Sequence, residues 1–310
     1  MKFLTRKTNF LFFVMLVFVF VSSSAMAISP QVEIPNQLIG QLAGYPSRAF
    51  PPNPVLAAES SFPVISGQGA LAVDLNSGVP LYEKNADAPL LPASTTKIIT
   101  ALVALDGYQL DQVLTVGKEI AVDGQKMGLY PGEQMKVEDL LYGLLVYSAN
   151  DAAVTLAQNF PGGYNAFVAA MNAKAAELFM INSYFDNPVG LDGANQHSTA
   201  KDLVRASEVA MRNQEFAKIV GTRRITVTDV TGKSVYNLRN INELLGKVPG
   251  VLGIKTGWTQ NARENLVTYI ERDGHRVIIA VLGSQDRFGE TKELADWIFS
   301  NYEWQEVKPN

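Results

Sequence analysis

Between Phe10 and Val21 every residue is apolar, and nowhere else does the chain hold such a run without a polar break. From Gly69 onward the rhythm changes. The stretch ALAVDLNSGVPLYEKNAD alternates apolar and polar positions around Asn76-Ser77-Gly78, which predicts a β-hairpin. Helical spacing follows over Ser94 to Leu105, Val137 to Tyr147, Gly163 to Phe179 and Ala200 to Met211. Thr199 and Asp202 at the start of the last of these predict a capping box. After Arg223 the period returns to strands: RITVTDV, GVLGIKTG, then NLVTYIERDGHRVIIAVLGS with a turn at Asp273-Gly274. An amphipathic helix is predicted over Thr291 to Tyr302. Strands at both ends with helices between them predict an α+β domain, its terminal segments sharing one antiparallel sheet and its helices gathered beside it. That domain is expected to span residues 67–304, with a short tail at 305–310.

The apolar run near the start has a separate meaning. Lys2, Arg6 and Lys7 precede it, and Ala25 and Ala27 follow it in an A-x-A arrangement, which is the layout of a secretory signal peptide. Its 12 residues fall short of the roughly 20 that span a bilayer. Cleavage is expected after Ala27, placing the protein outside the cytoplasmic membrane; if uncleaved, this segment would supply the membrane contact. Residues 28–66 hold seven of the 15 prolines, including FPPNP, and read as an extended tether that either spaces the domain from a wall or wraps its surface.

Composition then removes several classes. The 26 basic and 30 acidic residues give a formal charge of −4, and loss of the signal segment leaves 23 basic residues and −7, so nucleic acid is not an expected partner. With no cysteine, disulfides, thiol catalysis and a lipidated cysteine are excluded. Neither G-x-S-x-G nor H-E-x-x-H occurs, and no metal or organic cofactor is implied.

Three short motifs carry candidate chemistry. Ser94 precedes Lys97 by three positions, so on a helix both lie on one face. A serine at a helix start is ordinarily a cap and a lysine ordinarily solvated. Here Lys97 lies inside TTKIITALVAL, where burial would press its amine toward neutrality and let it act as a base. YSANDAA places Ser148, Asn150 and Asp151 at a break between helical stretches, where a turn with an N-cap is the bland alternative. GIKTGWT sets Lys255, Thr256, Gly257, Trp258 and Thr259 on a strand, where an edge lysine commonly only discourages aggregation. Each motif alone is weak. S-x-x-K, S-x-N and K-T-G in this order form the serine penicillin-recognising set.

On these residues the chain resembles the low-molecular-mass penicillin-binding proteins, the serine D-alanyl-D-alanine carboxypeptidases of peptidase family S11. YEKNADAPLLPASTTKIITALVAL, YSANDAAVTLA, FDNPVGLDGANQHSTAKDL and GVLGIKTGWT are all similar to that family's blocks. The resemblance implies the penicillin-binding protein/β-lactamase-like fold, with an antiparallel sheet, flanking helices and a helical subdomain. It implies Ser94 as acylated nucleophile, Lys97 as its base, Ser148 as proton relay and Asn150 as the residue orienting Lys97 and the substrate amide. Lys255, Thr256 and Thr259 would hold the substrate's terminal carboxylate, and Arg287 would assist. Backbone N–H groups of Ser94 and Trp258 would form an oxyanion hole beside Gly257. Peptidoglycan stem peptides are the implied substrate and β-lactams the implied acylating inhibitors. A D,D-endopeptidase cutting cross-links and a penicillin-acylated sensor are the alternatives; a β-lactamase is disfavoured because no E-x-x-L-N stretch lies between Asn150 and Lys255. Where the family often carries Ala-Gly after its third motif, this chain has Ala262-Arg263.

Overall fold

The computed structural model describes residues 51–57, 61–118, 120 and 122–306. The expected signal segment, most of the expected tether and residues 307–310 lie outside these. In chain order the first elements are β1 (Asn53–Leu56), β2 (Gly69–Asp74), β3 (Pro80–Lys84), and a 3-10 turn (Ala93–Thr96) running into α1 (Lys97–Gly107). Then come β4 (Val113–Thr115), β5 (Gln134–Lys136), α2 (Val137–Val146), α3 (Asn150–Asn159), α4 (Gly163–Glu177), α5 (Ala200–Arg212) and α6 (Gln214–Val220). The chain closes with β6 (Arg224–Thr228), β7 (Val235–Arg239), β8 (Val251–Thr259), β9 (Arg263–Arg272), β10 (His275–Ser284), α7 (Arg287–Asn301) and β11 (Tyr302–Gln305).

The N-terminal hairpin and the C-terminal strands do share one antiparallel sheet, in the order β3-β2-β10-β9-β8. Its turn is fixed by Asp74, whose carboxylate accepts from the Ser77 amide at 2.8 Å and hydroxyl at 2.6 Å, while Gly78 takes φ +74°. Both faces of the sheet are covered, so β10 is a nearly continuous apolar run whose alternate residues enter two cores. Ile278, Ala280 and Leu282 join the core formed with α1 to α6. Val277, Ile279 and Val281 join a second core with Leu294 and Ile298 of α7. Each such fully buried aliphatic contributes about 1.5–3 kcal/mol.

Several features differ from the sequence expectation. The capping box at α5 is half made: Thr199 Oγ1 accepts from the Asp202 amide at 3.0 Å, but Asp202 turns its carboxylate to the Asn182 amide and the Ser183 hydroxyl. For the described part of the proline-rich segment, the wrapping alternative is the one that matches: it is packed onto the body. β1 pairs with β11, Ile65 is buried, and the Pro63 and Ile65 carbonyls accept from Tyr82 and Lys84. The pair β4·β5, strand β7 and helix α6 are additions, whereas β6 falls on the expected RITVTDV strand. Three-residue strands leave no readable period, and β7 exposes most of both faces, which erases alternation.

Candidate active site

Ser94 sits in the 3-10 turn ahead of α1, and two glycines bring backbone against it. A Cβ on Gly190 (φ +87°) would fall 1.9 Å from the Ala93 carbonyl oxygen, and one on Gly257 would fall 3.0 Å from the Ser94 nitrogen. Ala93 itself takes φ +47°. The Thr95 hydroxyl donates back to the Pro92 carbonyl at 2.6 Å, and Thr100 and Thr96 are tied to Pro188 and Gln196. The turn is thus gripped between β8 and the 186–196 segment, with the Ser94 side chain left partly exposed.

Lys97 follows one turn later and is fully buried. Its Nζ lies 2.9 Å from Ser94 Oγ, 2.6 Å from Asn150 Oδ1 and 2.6 Å from the Val189 carbonyl. Desolvation lowers its pKa to about 7, against a smaller opposing effect from Asp151. The Val189 carbonyl is aimed by Asn187, whose Oδ1 accepts from the amides of Val189, Gly190 and Leu191.

The Ser148 to Asp151 break between α2 and α3 supplies the second wall. Ser148 adopts φ +64°, a conformation a non-glycine residue holds at a cost of about 1–3 kcal/mol. The alternative of an Asn or Asp N-cap is not what forms: Ala149 holds that position, Asn150 begins α3, and its amide side chain links Lys97 to the Asp123 carbonyl at 2.5 Å. Asp151 accepts from the amides of Met127, Gly128 and Leu129, so it anchors the rim of the cleft.

Lys255 enters from β8. Its Nζ donates to Ser148 Oγ and to the Thr256 carbonyl, both at 2.8 Å. Burial, the charge of Lys97 and the charge of Arg287 hold its pKa well below the ordinary lysine value. Two buried ammonium groups this close disfavour each other, so the lysines titrate as a coupled pair. Arg287, at the start of α7, donates from Nη1 to the Gly257 carbonyl at 3.1 Å with its guanidinium over the Phe288 ring.

Ser94, Ser148, Asn150, Thr256, Trp258 and Arg287 line one cleft of about 1090 Å³. Thr259 lines it too; its hydroxyl donates to Asp192 at 2.8 Å and accepts from the Ala262 amide, so it also braces the turn after β8. Arg263 occupies φ +60°, a left-handed conformation that glycine would adopt without steric cost. Asn187, the Val189 carbonyl, Asp192 and Asn265, which ties Leu91 to Gly283, were not singled out from sequence. Only the Asn-Pro and Leu-Asp-Gly pattern of 186–193 hinted at the first three. Neither histidine lines the cleft: His197 pairs with Tyr184 and His275 stacks on Trp304. Among the described residues no group of His, Asp or Glu side chains is arranged to hold a metal ion.

Comparison with known proteins agrees with this geometry. The family model described as D-alanyl-D-alanine carboxypeptidase, peptidase S11, matches residues 56–286. The D-alanyl-D-alanine carboxypeptidase DacB2 of Mycobacterium tuberculosis is 37% identical over 253 residues, covering 77% of this chain and 85% of that protein. DacF of Bacillus subtilis is 34% identical over 245 residues, covering 76% of this chain but 63% of its own length. The crystal structure of the Streptomyces K15 DD-transpeptidase superposes with a TM-score of 0.74 at 32% identity, covering 78% of this chain and all of that one. A buried lysine bonded to a serine and an asparagine, on a scaffold shared at this level of identity, decides the assignment: the chain belongs to the D-alanyl-D-alanine carboxypeptidase family, peptidase S11.

Proposed function

We propose that the chain is a serine D,D-carboxypeptidase that releases the terminal D-alanine of peptidoglycan stem peptides through an acyl-enzyme on Ser94. The observation carrying this is the environment of Lys97 Nζ. A neutral amine there donates its two hydrogens to Asn150 Oδ1 and the Val189 carbonyl, leaving its lone pair for the Ser94 hydroxyl proton.

The Ser94 oxygen attacks the carbonyl of the penultimate residue as its proton passes to Lys97. The tetrahedral oxyanion is held by the N–H groups of Ser94 and Trp258, a donor of this kind being worth about 3–4 kcal/mol at the transition state. The proton then travels by Ser148 to the departing amine, and D-alanine leaves with its nitrogen protonated. Water attacks the ester by the reverse route, returning the Ser94 proton. Thr256 and Arg287 face the terminal carboxylate. Arrival of that anion favours the protonated form of Lys255, and a protonated Lys255 keeps Lys97 neutral, so substrate binding itself prepares the base.

A β-lactam ring presents its amide and carboxylate to the same groups, giving a penicilloyl ester on Ser94. The signal segment at residues 1–27, outside the described residues, places this chemistry beyond the cytoplasmic membrane, where the substrate lies. Purified residues 28–310 incubated with diacetyl-Lys-D-Ala-D-Ala should lose one alanine by mass spectrometry, and Ser94→Ala should neither cleave the peptide nor take a penicillin label. Penicillin labelling of Ser94→Ala would refute the nucleophile. Cleavage of a cross-linked muropeptide with the terminal D-alanine left in place would make the chain an endopeptidase.

A further inference from the structure

The cleft extends well past the reacting groups, and its far part has a chemistry the reaction does not use. Arg223, Arg224, Arg239 and Lys247 line it together with Arg287, and Glu243 is the carboxylate among the lining residues. Glu243 is taken up by Lys247 at 3.2 Å. Among the described residues, no carboxylate lies within ion-pair distance of Arg223, Arg224 or Arg239. In a chain of formal charge −4 such clustering runs against composition.

The arrangement is also held in place. Arg224 and Arg239 stand directly opposite in the β6·β7 register, a like-charge pairing that weakens a two-stranded sheet. The Asn240 side chain pins the base of this hairpin to the carbonyls of Val220 and Thr222, and its amide donates to the Arg223 carbonyl at 2.9 Å. Gly246, at φ +77°, lets the Arg223 guanidinium lie against bare backbone: a Cβ there would fall 2.7 Å from Nε. Arg287 has its own task beside Thr256. Among the described residues, three guanidiniums at this braced hairpin thus remain with no ion-pair partner.

We propose that Arg223, Arg224 and Arg239 form an anion subsite that binds free carboxylates on the part of the substrate N-terminal to the scissile bond. This rests on the carboxypeptidase reading and narrows it to acidic donor peptides. Guanidiniums in a cleft carrying one sign of charge raise the local concentration and encounter rate of an oppositely charged ligand by 10-fold or more. The attraction acts through solvent and weakens as salt shortens the Debye length from about 10 Å at 0.1 M.

The test compares two peptides, acetyl-Glu-Lys(acetyl)-D-Ala-D-Ala and its glutamine counterpart, which differ only in one carboxylate. At low ionic strength kcat/KM should favour the glutamate peptide about tenfold, and 0.5 M salt should shrink that ratio toward one. The triple variant R223Q/R224Q/R239Q should bring the ratio to about one. Equal kcat/KM values for the two peptides at low salt, or a ratio unmoved by the triple variant, would overturn the subsite. The salt series uses the unaltered protein, so it decides even where the variant misfolds. Calorimetric binding of both peptides to Ser94→Ala separates the two readings. A tenfold binding preference without turnover by the parent protein sustains the subsite and removes the carboxypeptidase, whereas turnover of both peptides at equal rates does the reverse.

Discussion

A lysine with no solvent contact keeps its charge only against a large desolvation penalty, and the pKa of Lys97 near 7 expresses that penalty directly. Its consequence for rate has a definite sign. The base must be unprotonated, so kcat/KM for peptide hydrolysis should climb tenfold per pH unit below about 7 and level off above it; a flat profile from pH 5 to 8 would remove Lys97 as the base. The consequence for stability runs the same way. The unfolded chain keeps the lysine proton up to about 10.5, while the native state releases it near 7. Between those values the unfolded state binds more protons, so this group makes stability rise with pH by up to about 1.4 kcal/mol per unit, with the full penalty in force below 7. Lys97→Met deletes the penalty, at the expense of the bonds to Asn150 and Val189. Its stability relative to the parent should therefore fall as pH is raised from 7 to 9.5 in denaturant titrations, and a difference independent of pH would mean native Lys97 is charged.

At the scale of elements the nucleophile depends on backbone approach more than on any side chain. The Ser94 turn is packed between Gly257 of β8 and Gly190 of the 186–196 segment, with no room for a methyl group at Gly190. Gly190→Ala would drive a Cβ into the Ala93 carbonyl and also impose alanine on φ +87°, so we expect a loss of about 3 kcal/mol or more and acylation by penicillin slowed at least tenfold in the protein that still folds. Acylation at the parental rate would show that the turn tolerates displacement. This kind of contact explains what sequence did and did not disclose. The helices at 97–107, 137–146, 163–177 and 200–212 and the hairpin β9·β10 were readable because each carries a long period matched to one buried face or one clear turn. Ser94, Lys97, Ser148, Asn150 and Lys255 were readable as a cluster because they meet through their own side chains and their order along the chain is distinctive. The Val189 carbonyl was not, since any residue offers a carbonyl, and the aim of this one is set by Asn187 from two positions away. The bond from Thr259 to Asp192 was hidden for a related reason: the two residues lie 67 positions apart in sequence, so only the fold brings them together.

For the whole molecule, the central sheet separates two tasks. One face packs on the helices that carry Lys97, Ser148 and Asn150. The other packs on α7 and on the chain ends, where β1 lies along β11 and Trp304 stacks on His275 with ring centroids 4.1 Å apart while donating from Nε1 to Asp74 at 3.0 Å. Strands β1 and β11 cover an apolar surface that α7 alone leaves open, through Tyr302 and Trp304. Trp304→Ala removes a half-buried indole from this second core, while Asp74 keeps its bonds to Ser77. The cost is then mainly lost apolar burial, about 2 kcal/mol, below the 3–5 kcal/mol of a fully buried tryptophan. In a protein of this size that lowers Tm by about 4–8 °C. Because Trp304 packs in the second core, against His275 and Phe299, the penicillin acylation rate at 25 °C should match the parent. A variant whose acylation slows in step with its lost stability would mean the two cores are coupled through the sheet, and that the packing of the chain ends helps to set the geometry around Ser94.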